Sequence, residues 1–275
     1  MCYNVKEVGC SRVLGEFITT LQQTGLYDNT LIIVISDNGI DLPRGKINLY
    51  EAGTHMPMAV SWPAVTGHGG RRVVEDLVSF TDIAPTLLEL AGVTPPRHMT
   101  GRSFVNLLFS QKSGIVDSTR QRVFTARERH SPYRAGYVSY PSRAVRTHEY
   151  LLIRNFEPDR WPAGDPPWFA DSGGHPTYRP LIVGARDNGD DSYFTWCYAK
   201  RPAEELYVIA DDPWQLSNVA DDPRFAEVRD QLSRELTSYL EATGDPRVRG
   251  EDGGWDSFGW DEPLKYPIDA EADEQ

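Results

Sequence analysis

The chain has 275 residues, 40% of them hydrophobic and 11% aromatic, which is enough to build a core in one large domain or two smaller ones. Its formal net charge is −12 and it shows no basic stripe, which argues against a nucleic acid as partner. The longest apolar run, residues 31–35, is far too short to cross a bilayer, and three cysteines make no disulfide framework.

The first part of the chain predicts helices and strands of an α/β layer. Residues 5–23 predict an amphipathic helix, because apolar residues recur there at helical spacing. Two short apolar runs, residues 31–35 and 58–62, predict strands, and the β-branched character of the first is typical of a strand covered on both faces. Residues 79–92 predict a further helix. This order favours a mostly parallel sheet flanked by helices.

The composition changes after a polar linker at residues 110–114. Residues 156–202 are rich in Pro, Gly, Asp and Trp, which indicates long irregular loops. A final amphipathic helix is predicted from Asp222 onward. Short runs with strand-like composition lie at residues 121–126, 143–155 and 205–209.

We therefore divide the chain into three parts. Residues 1–112 form a portion of the α/β domain, and residues 113–250 form a smaller α+β subdomain with an antiparallel sheet and a terminal helix. Residues 251–275 hold nine acidic side chains against one lysine. We expect them to form a solvated, mostly mobile acidic tail, with aromatic residues able to hold its first part.

An acid and an amide end the first predicted strand. Asp37 and Asn38 follow the apolar run, and Lys46 comes eight residues after the asparagine. Ligands of open α/β sheets gather at the carboxyl ends of strands, and these side chains offer the hard oxygen donors that Ca²⁺ or Mg²⁺ prefers. Lys46 adds a point charge for an anion. Asp-Asn-Gly is also a common turn, so the motif alone leaves both interpretations open.

Several ordered segments resemble the sulfatase family, within the alkaline-phosphatase-like superfamily. They include GLYDNTLIIVISDNG (25–39), LYEAGTHMPMAVSWP (49–63) and SFTDIAPTLLELAGV (79–93). Residues 140–155 and 200–225 resemble the C-terminal subdomain of N-sulfoglucosamine sulfohydrolases, the heparan N-sulfatases. The resemblance runs from about residue 3 to about residue 245 and implies the C-terminal half of a sulfatase fold.

The resemblance implies a metal and a sulfate site. Asp37 and Asn38 match the family's late pair of calcium ligands, and Lys46 matches the cation that contacts the sulfate group. The cofactor implied is Ca²⁺, with Mg²⁺ as the alternative ion. Formylglycine is expected only in the half of a sulfatase that precedes the matched segments.

Three further residues are candidates for substrate contact. His55 follows the YEAGT turn near the implied sulfate site, and His130 and Arg134 fall in a region that the resemblance places near the pocket rim. They would touch a sulfate or carboxylate of a sugar. For each of the three, a structural or solvent-exposed role stays open.

The nucleophile motif of sulfatases, Cys or Ser-x-Pro-Ser-Arg, is expected before the matched segments. SYPSR (139–143) fits this pattern, but a strand-like run follows it and it comes after Asp37 and Asn38. This order disfavours Ser139 as nucleophile. Cys197 lies in CYAKR, which lacks the Pro-Ser core, and is disfavoured too.

We therefore expect the C-terminal portion of a calcium-dependent sulfatase that hydrolyses N- or O-linked sulfate of a sulfated sugar or glycosaminoglycan. We expect no turnover from this chain alone. We also expect it to expose sheet edges and apolar faces that the rest of the parent enzyme would cover. Neither a nucleic acid nor a membrane is expected as partner, and a homodimer stays open. The compartment is unknown; the resemblance favours an exported, periplasmic or lysosomal parent enzyme.

Two alternatives remain. The chain could be a degenerate, non-catalytic sulfatase-like module that binds sulfated glycans or a protein. A hydrolase of the same superfamily with two zinc or manganese ions, such as a phosphodiesterase, is disfavoured because no His-x-x-His accompanies Asp37 and Asn38.

Overall fold

The computed structural model describes residues 3–67, 72–169 and 178–258, with side chains of the first helix described from residue 11 onward. The backbone divides into two compact units. One comprises the N-terminal residues up to Ser36 and Pro57–Thr119, and the other comprises Asp37–Met56 and the residues from Arg120 onward. Within the described residues, no helix combines the length and apolar character needed to cross a membrane.

The helices and strands are numbered in chain order. They are α1 (Tyr3–Gln23), β1 (Ile32–Ile35), α2 (Glu51–Thr54), β2 (Met58–Ser61), α3 (Pro63–Thr66), α4 (Ile83–Leu90), α5 (Val105–Phe109), β3 (Arg122–Arg127), β4 (Ser142–Thr147), β5 (Tyr150–Asn155), α6 (Tyr178–Asp187), α7 (Ser192–Cys197), β6 (Glu204–Val208) and α8 (Ala226–Thr243).

The predicted first helix is confirmed as α1. Gly25, two residues beyond its end, has a φ of 73°, a conformation that glycine adopts without steric cost. The predicted apolar stripe is only partly covered, since Phe17 is 63% exposed.

The strands β1 and β2 pair antiparallel, with Ile32 opposite Ser61 and Ile35 opposite Met58. The mostly parallel sheet expected for this part of the chain is therefore not confirmed. A parallel pair needs a long crossover, usually a helix, whereas the connection between these strands contains only the four-residue α2. The expected burial of β1 on both faces is also wrong, because Val34 and Ile35 are about two-fifths exposed.

The first unit has a small core of its own. Phe104, Leu107 and Leu108 are buried and pack against residues of β2 and α4, including Val60 and Ile83. A capping box precedes α4, in which the Ser79 side chain accepts from Thr81 N and Asp82 accepts from the Ser79 N–H. The helix predicted over residues 79–92 is thus confirmed, with its regular part beginning at Ile83.

The second unit is built on a four-stranded antiparallel sheet in the order β3-β4-β5-β6. The predicted α+β subdomain with its terminal helix is confirmed. Successive side chains of a strand point to opposite faces. One face of this sheet packs on α8 through Val145, Leu152, Leu206, Leu232, Leu236 and Leu240.

The opposite face of the same sheet packs on a segment from much earlier in the chain. Leu49 and Tyr50 cluster there with Ala144, Leu151, Ile153 and Tyr207. The sheet therefore lies between α8 and the segment that follows β1. This packing places residues 37–56 in the second unit.

Residues 156–202 are not wholly irregular, contrary to the prediction, since α6 and α7 lie within them. Side chains of this region form an aromatic cluster. Phe169 stacks on Tyr198 with ring centroids 5.3 Å apart and meets Trp161 edge to face at 5.5 Å. Trp161 thus packs under the loops.

The first residues of the acidic tail are held by Asp256. Its carboxylate accepts from Ser139 N at 2.8 Å and from Arg160 Nη1 at 2.9 Å. Trp255 and Phe258, expected to hold this part, are 45% and 64% exposed. The rest of the predicted tail, 259–275, lies outside the described residues.

Candidate functional site

The strand-end loop, which we define as residues 37–56, carries Asp37, Asn38, Lys46 and His55. It begins two residues after β1 ends. Asp37 is exposed and Asn38 is half-buried. The Asn38 amide nitrogen donates to the carbonyl of Gly39 at 2.7 Å, which orients this side chain across its own turn.

Glycines allow the strand-end loop to fold tightly on itself. A Cβ on Gly39 would lie 2.6 Å from the Cα of Gly53, and a Cβ on Gly53 would lie 2.5 Å from the carbonyl oxygen of Gly45. Real Cβ atoms do not approach other atoms so closely. The turn with Asp37 and Asn38 therefore packs against α2 only because these positions lack side chains.

Lys46 is half-buried and lies in the same fold of the loop. Its backbone N–H donates to the carbonyl of Ile40 at 2.7 Å, and its carbonyl accepts from the side chain of Asn48 at 3.2 Å. The structure thus joins the backbone of Lys46 to the backbone just after Asp37 and Asn38. The three residues implied by the sequence share one loop.

His55 lies one residue beyond α2 and has a 73% exposed side chain. Its Nδ1 is 3.0 Å from Oε2 of Glu51, and Arg146 binds both oxygens of that carboxylate. Burial opposes the charged form of Glu51, but the hydrogen bonds from His55 and Arg146 outweigh it and lower the pKa of Glu51 to about 2. The hydrogen bond to Glu51 raises the pKa of His55, against a smaller effect of burial.

A buried polar cluster lies under the loop and was not predicted from the sequence. The Glu205 carboxylate accepts from Tyr50 Oη at 2.9 Å, from Tyr207 Oη at 2.6 Å and from the amide of Asn155 at 2.8 Å. Glu205 is 2% exposed. Three hydrogen bonds satisfy this carboxylate and tie the loop at Tyr50 to β5 and β6.

His130 and Arg134 lie outside the strand-end loop. His130 is exposed. Arg134 is only 1% exposed, and its guanidinium donates to the carbonyls of Trp161 and Pro162, both at 2.8 Å. These contacts indicate that Arg134 stabilises the backbone at residues 161 and 162. The position of Arg134 therefore gives no support to a role in substrate binding.

Ser139 is a structural residue. It is fully buried, its hydroxyl bonds the Asp256 carboxylate, and Arg247 donates to its Oγ at 2.8 Å. The Asp256 carboxylate also accepts from Ser139 N and from Arg160, so these contacts fix the buried hydroxyl in place and do not present it to a substrate. Burial also raises the pKa of the Cys197 thiol, which disfavours the reactive thiolate.

The donor set of the loop suits a hard cation but completes only part of a shell. Asp37 and Asn38 bring one anionic and one neutral oxygen donor, whereas Ca²⁺ takes six to eight oxygens. In the part of the chain that the structure describes, no group of three or more His, Cys, Asp or Glu side chains is arranged to hold a metal ion. Further ligands would have to come from elsewhere.

Comparison with known proteins decides the family. The family model described as Sulfatase matches residues 10–93, which include the whole strand-end loop. The N-sulphoglucosamine sulphohydrolase of Homo sapiens is 30% identical over 251 residues, covering 87% of this chain and 47% of the human protein. The chain belongs to the sulfatase family.

Other members of the sulfatase family support the same assignment. An ulvan-active sulfatase of Formosa agariphila is 28% identical over 247 residues, covering 84% of this chain and 36% of that protein. A solved structure described as a 2-O GAG sulfatase shares the fold, with a TM-score of 0.60 and 19% identity over 91% of this chain and 45% of that chain. The chain thus spans less than half the length of these relatives.

Proposed function

We propose that the chain forms the cation-binding and sulfate-binding part of a calcium-dependent sulfatase acting on N- or O-sulfate of a sulfated sugar or glycosaminoglycan. The observation that carries the proposal is the strand-end loop, which holds Asp37, Asn38 and Lys46 in one fold closed by the hydrogen bond from Lys46 N to Ile40 O. The relatives named above support the substrate class.

Each group of the loop has a role in this proposal. Asp37 and Asn38 donate oxygens to Ca²⁺, with Mg²⁺ as the alternative ion, and Lys46 contacts a sulfate oxygen. The bound ion would supply positive charge to the sulfuryl oxygens. His55, paired with Glu51, would add a second cation whose charge is favoured by its raised pKa.

We expect no turnover from this chain alone. Its one Cys- or Ser-x-Pro-Ser-Arg match is SYPSR (139–143), and Ser139 is buried among charged partners. The test is sulfate release from N-sulfoglucosamine and from an aryl sulfate, with added Ca²⁺. Measurable turnover would contradict this part of the proposal.

The binding roles are tested separately, by following backbone amides in NMR titrations. Ca²⁺ should shift the amides of Asp37, Asn38 and Gly39 with weak affinity, because two protein ligands fill only part of the shell. Asp37→Asn should weaken this binding at least about tenfold, since it removes the charged member of the Asp37–Asn38 pair. Asp41→Asn, an exposed acid in the same loop, is the matched control and should bind as the wild type does.

Inorganic sulfate is the probe for Lys46. It should shift the amides around Lys46, and Lys46→Met should abolish the shift. Lys112→Met, an exposed lysine of the other unit, should leave it unchanged. Equal sulfate responses in wild type and Lys46→Met would remove the sulfate role from this residue.

A further inference from the structure

Gln215 lies in the connection between β6 and α8, far from the strand-end loop in sequence. It is 1% exposed and has a φ of 52°. Its backbone N–H and its Nε2 both donate to the carbonyl of Asp212, at 3.0 and 3.1 Å. The side chain is therefore held in one orientation.

This orientation directs the remaining side-chain oxygen of Gln215 to the strand-end loop. Oε1 accepts from the backbone N–H of Glu51 at 3.0 Å. Glu51 is the first residue of α2, where backbone N–H groups lack partners within the helix. Gln215 thus fixes the point at which the loop enters α2.

Arg44, on the N-terminal side of Lys46, also contacts Gln215. Its guanidinium is buried, donates to the carbonyl of Trp196 at 2.7 Å and also to the carbonyl of Gln215. It stacks 3.7 Å above the ring of Tyr50. Both flanks of Lys46 are therefore tied to residue 215.

The backbone between these two ties is strained. Arg44 and Ile47 have φ values of 66° and 65°, in the left-handed region that residues with a side chain rarely adopt. Such conformations persist only where the surroundings hold them. Lys46 lies between these two residues, so its position depends on whatever holds them.

We infer that Gln215, together with Arg44, is a positioning residue for Lys46. Gln215 accepts hydrogen bonds from the Glu51 N–H and from the Arg44 guanidinium, and these bonds hold the strained turn in the arrangement that presents Lys46. The use of Lys46 for binding sulfate rests on the proposed function, whereas the positioning of Lys46 by Gln215 does not. The connection between β6 and α8 therefore acts on the strand-end loop in addition to packing the sheet.

The experiment is amide hydrogen exchange on the full chain without any ligand. Gln215→Met removes the acceptor at nearly constant length, and the amides of Lys46 and Glu51 should exchange at least about tenfold faster. The amides of Val145 and Leu152, inside the sheet, should keep their protection.

Gln231→Met, on the exposed side of α8, is the matched control and should leave both loop amides unchanged. The inference would be overturned by unchanged exchange of the two loop amides in Gln215→Met, or by an equal acceleration of exchange in the sheet. If Gln215→Met fails to fold, Arg44→Lys, which keeps the charge but loses the fork of donors, is judged by the same amides. A missing sulfate response of Lys46 with these exchange results intact would refute the sulfate role alone.

Discussion

Arg146 clamps Glu51 through two parallel hydrogen bonds, from Nε to Oε1 at 2.9 Å and from Nη2 to Oε2 at 3.1 Å. Glu51 begins α2 and Arg146 lies on β4, so the pair joins the strand-end loop to the sheet. Both side chains are only 15% exposed. Because paired donors meet a half-buried carboxylate, this contact is stronger than a solvent-exposed ion pair.

The first prediction concerns the charge of His55. Replacing Glu51 by Gln should lower the pKa of His55, because an amide stabilises the imidazolium less than a carboxylate does. An NMR titration of the His55 ring measures it directly. Glu149→Gln, an exposed acid in the turn between β4 and β5, is the control and should leave the titration of His55 unchanged. An unchanged pKa of His55 in Glu51→Gln would contradict the pairing of the two side chains.

The second prediction concerns stability against pH. The pKa of Glu51 is lowered from 4.5, so its contribution is complete above that value and is lost as the pH falls toward 2. The pKa of His55 is raised from 6.5, so its contribution is complete below that value and is lost as the pH rises through the raised pKa.

The stabilisation by this pair should therefore be greatest between these two ordinary values. We expect the difference in unfolding free energy between wild type and Glu51→Gln to be smaller below pH 4.5 and above pH 6.5 than between them. The decrease should be larger on the acid side, because Arg146 still binds Glu51 at high pH. Urea unfolding at about pH 3, 5.5 and 8.5 measures this. A difference in unfolding free energy that is the same at all three pH values would contradict the prediction.

The third prediction concerns Ser139. Its replacement by Ala should destabilise the fold by about 1–3 kcal/mol, because Asp256 and Arg247 each lose a buried hydrogen bond. Ser257→Ala, at an exposed serine of the same tail segment, should stay within about 0.5 kcal/mol of the wild type. Chemical unfolding gives both values. A neutral Ser139→Ala would show that the tail is not held through this contact.

The fourth prediction concerns the glycines of the strand-end loop. Gly53→Ala would place a Cβ 2.5 Å from the Gly45 carbonyl oxygen and should cost about 1–3 kcal/mol by overpacking. Gly184→Ala in α6 meets no atom within 4 Å and should instead stabilise by about 0.5–1 kcal/mol. Thermal unfolding of the two variants gives the comparison. Equal effects would mean that the loop has room to relax.

Much of the fold was predictable because its signals are local. The spacing of apolar residues predicts α1 and α8. Three strand-like runs predict the antiparallel sheet, although one of them forms both β4 and β5. The direction of β2 was not predictable, because a short apolar run carries no signal for whether it pairs parallel or antiparallel with its neighbour. The helix α6 was missed because it contains Pro180 and Gly184 within ten residues, both of which oppose helix formation.

The candidate site shows the same limit. Asp37, Asn38 and Lys46 stand out because they lie together in sequence. Their supports do not, since Arg146 is 95 residues from Glu51 and Gln215 is 164 residues from it. No local pattern signals such contacts, although the i, i+4 spacing of Glu51 and His55 on a short helix does signal that pair.

The dependence of the loop on Gln215 bears on how the chain tolerates shortening. A stop codon between positions 57 and 214 would leave every residue of the loop in the translated product. It would nevertheless remove the acceptor that α2 needs at its first residue and one of the carbonyls that Arg44 binds. The strand-end loop should therefore be destabilised by a lesion at position 215, which lies 164 residues downstream of Glu51.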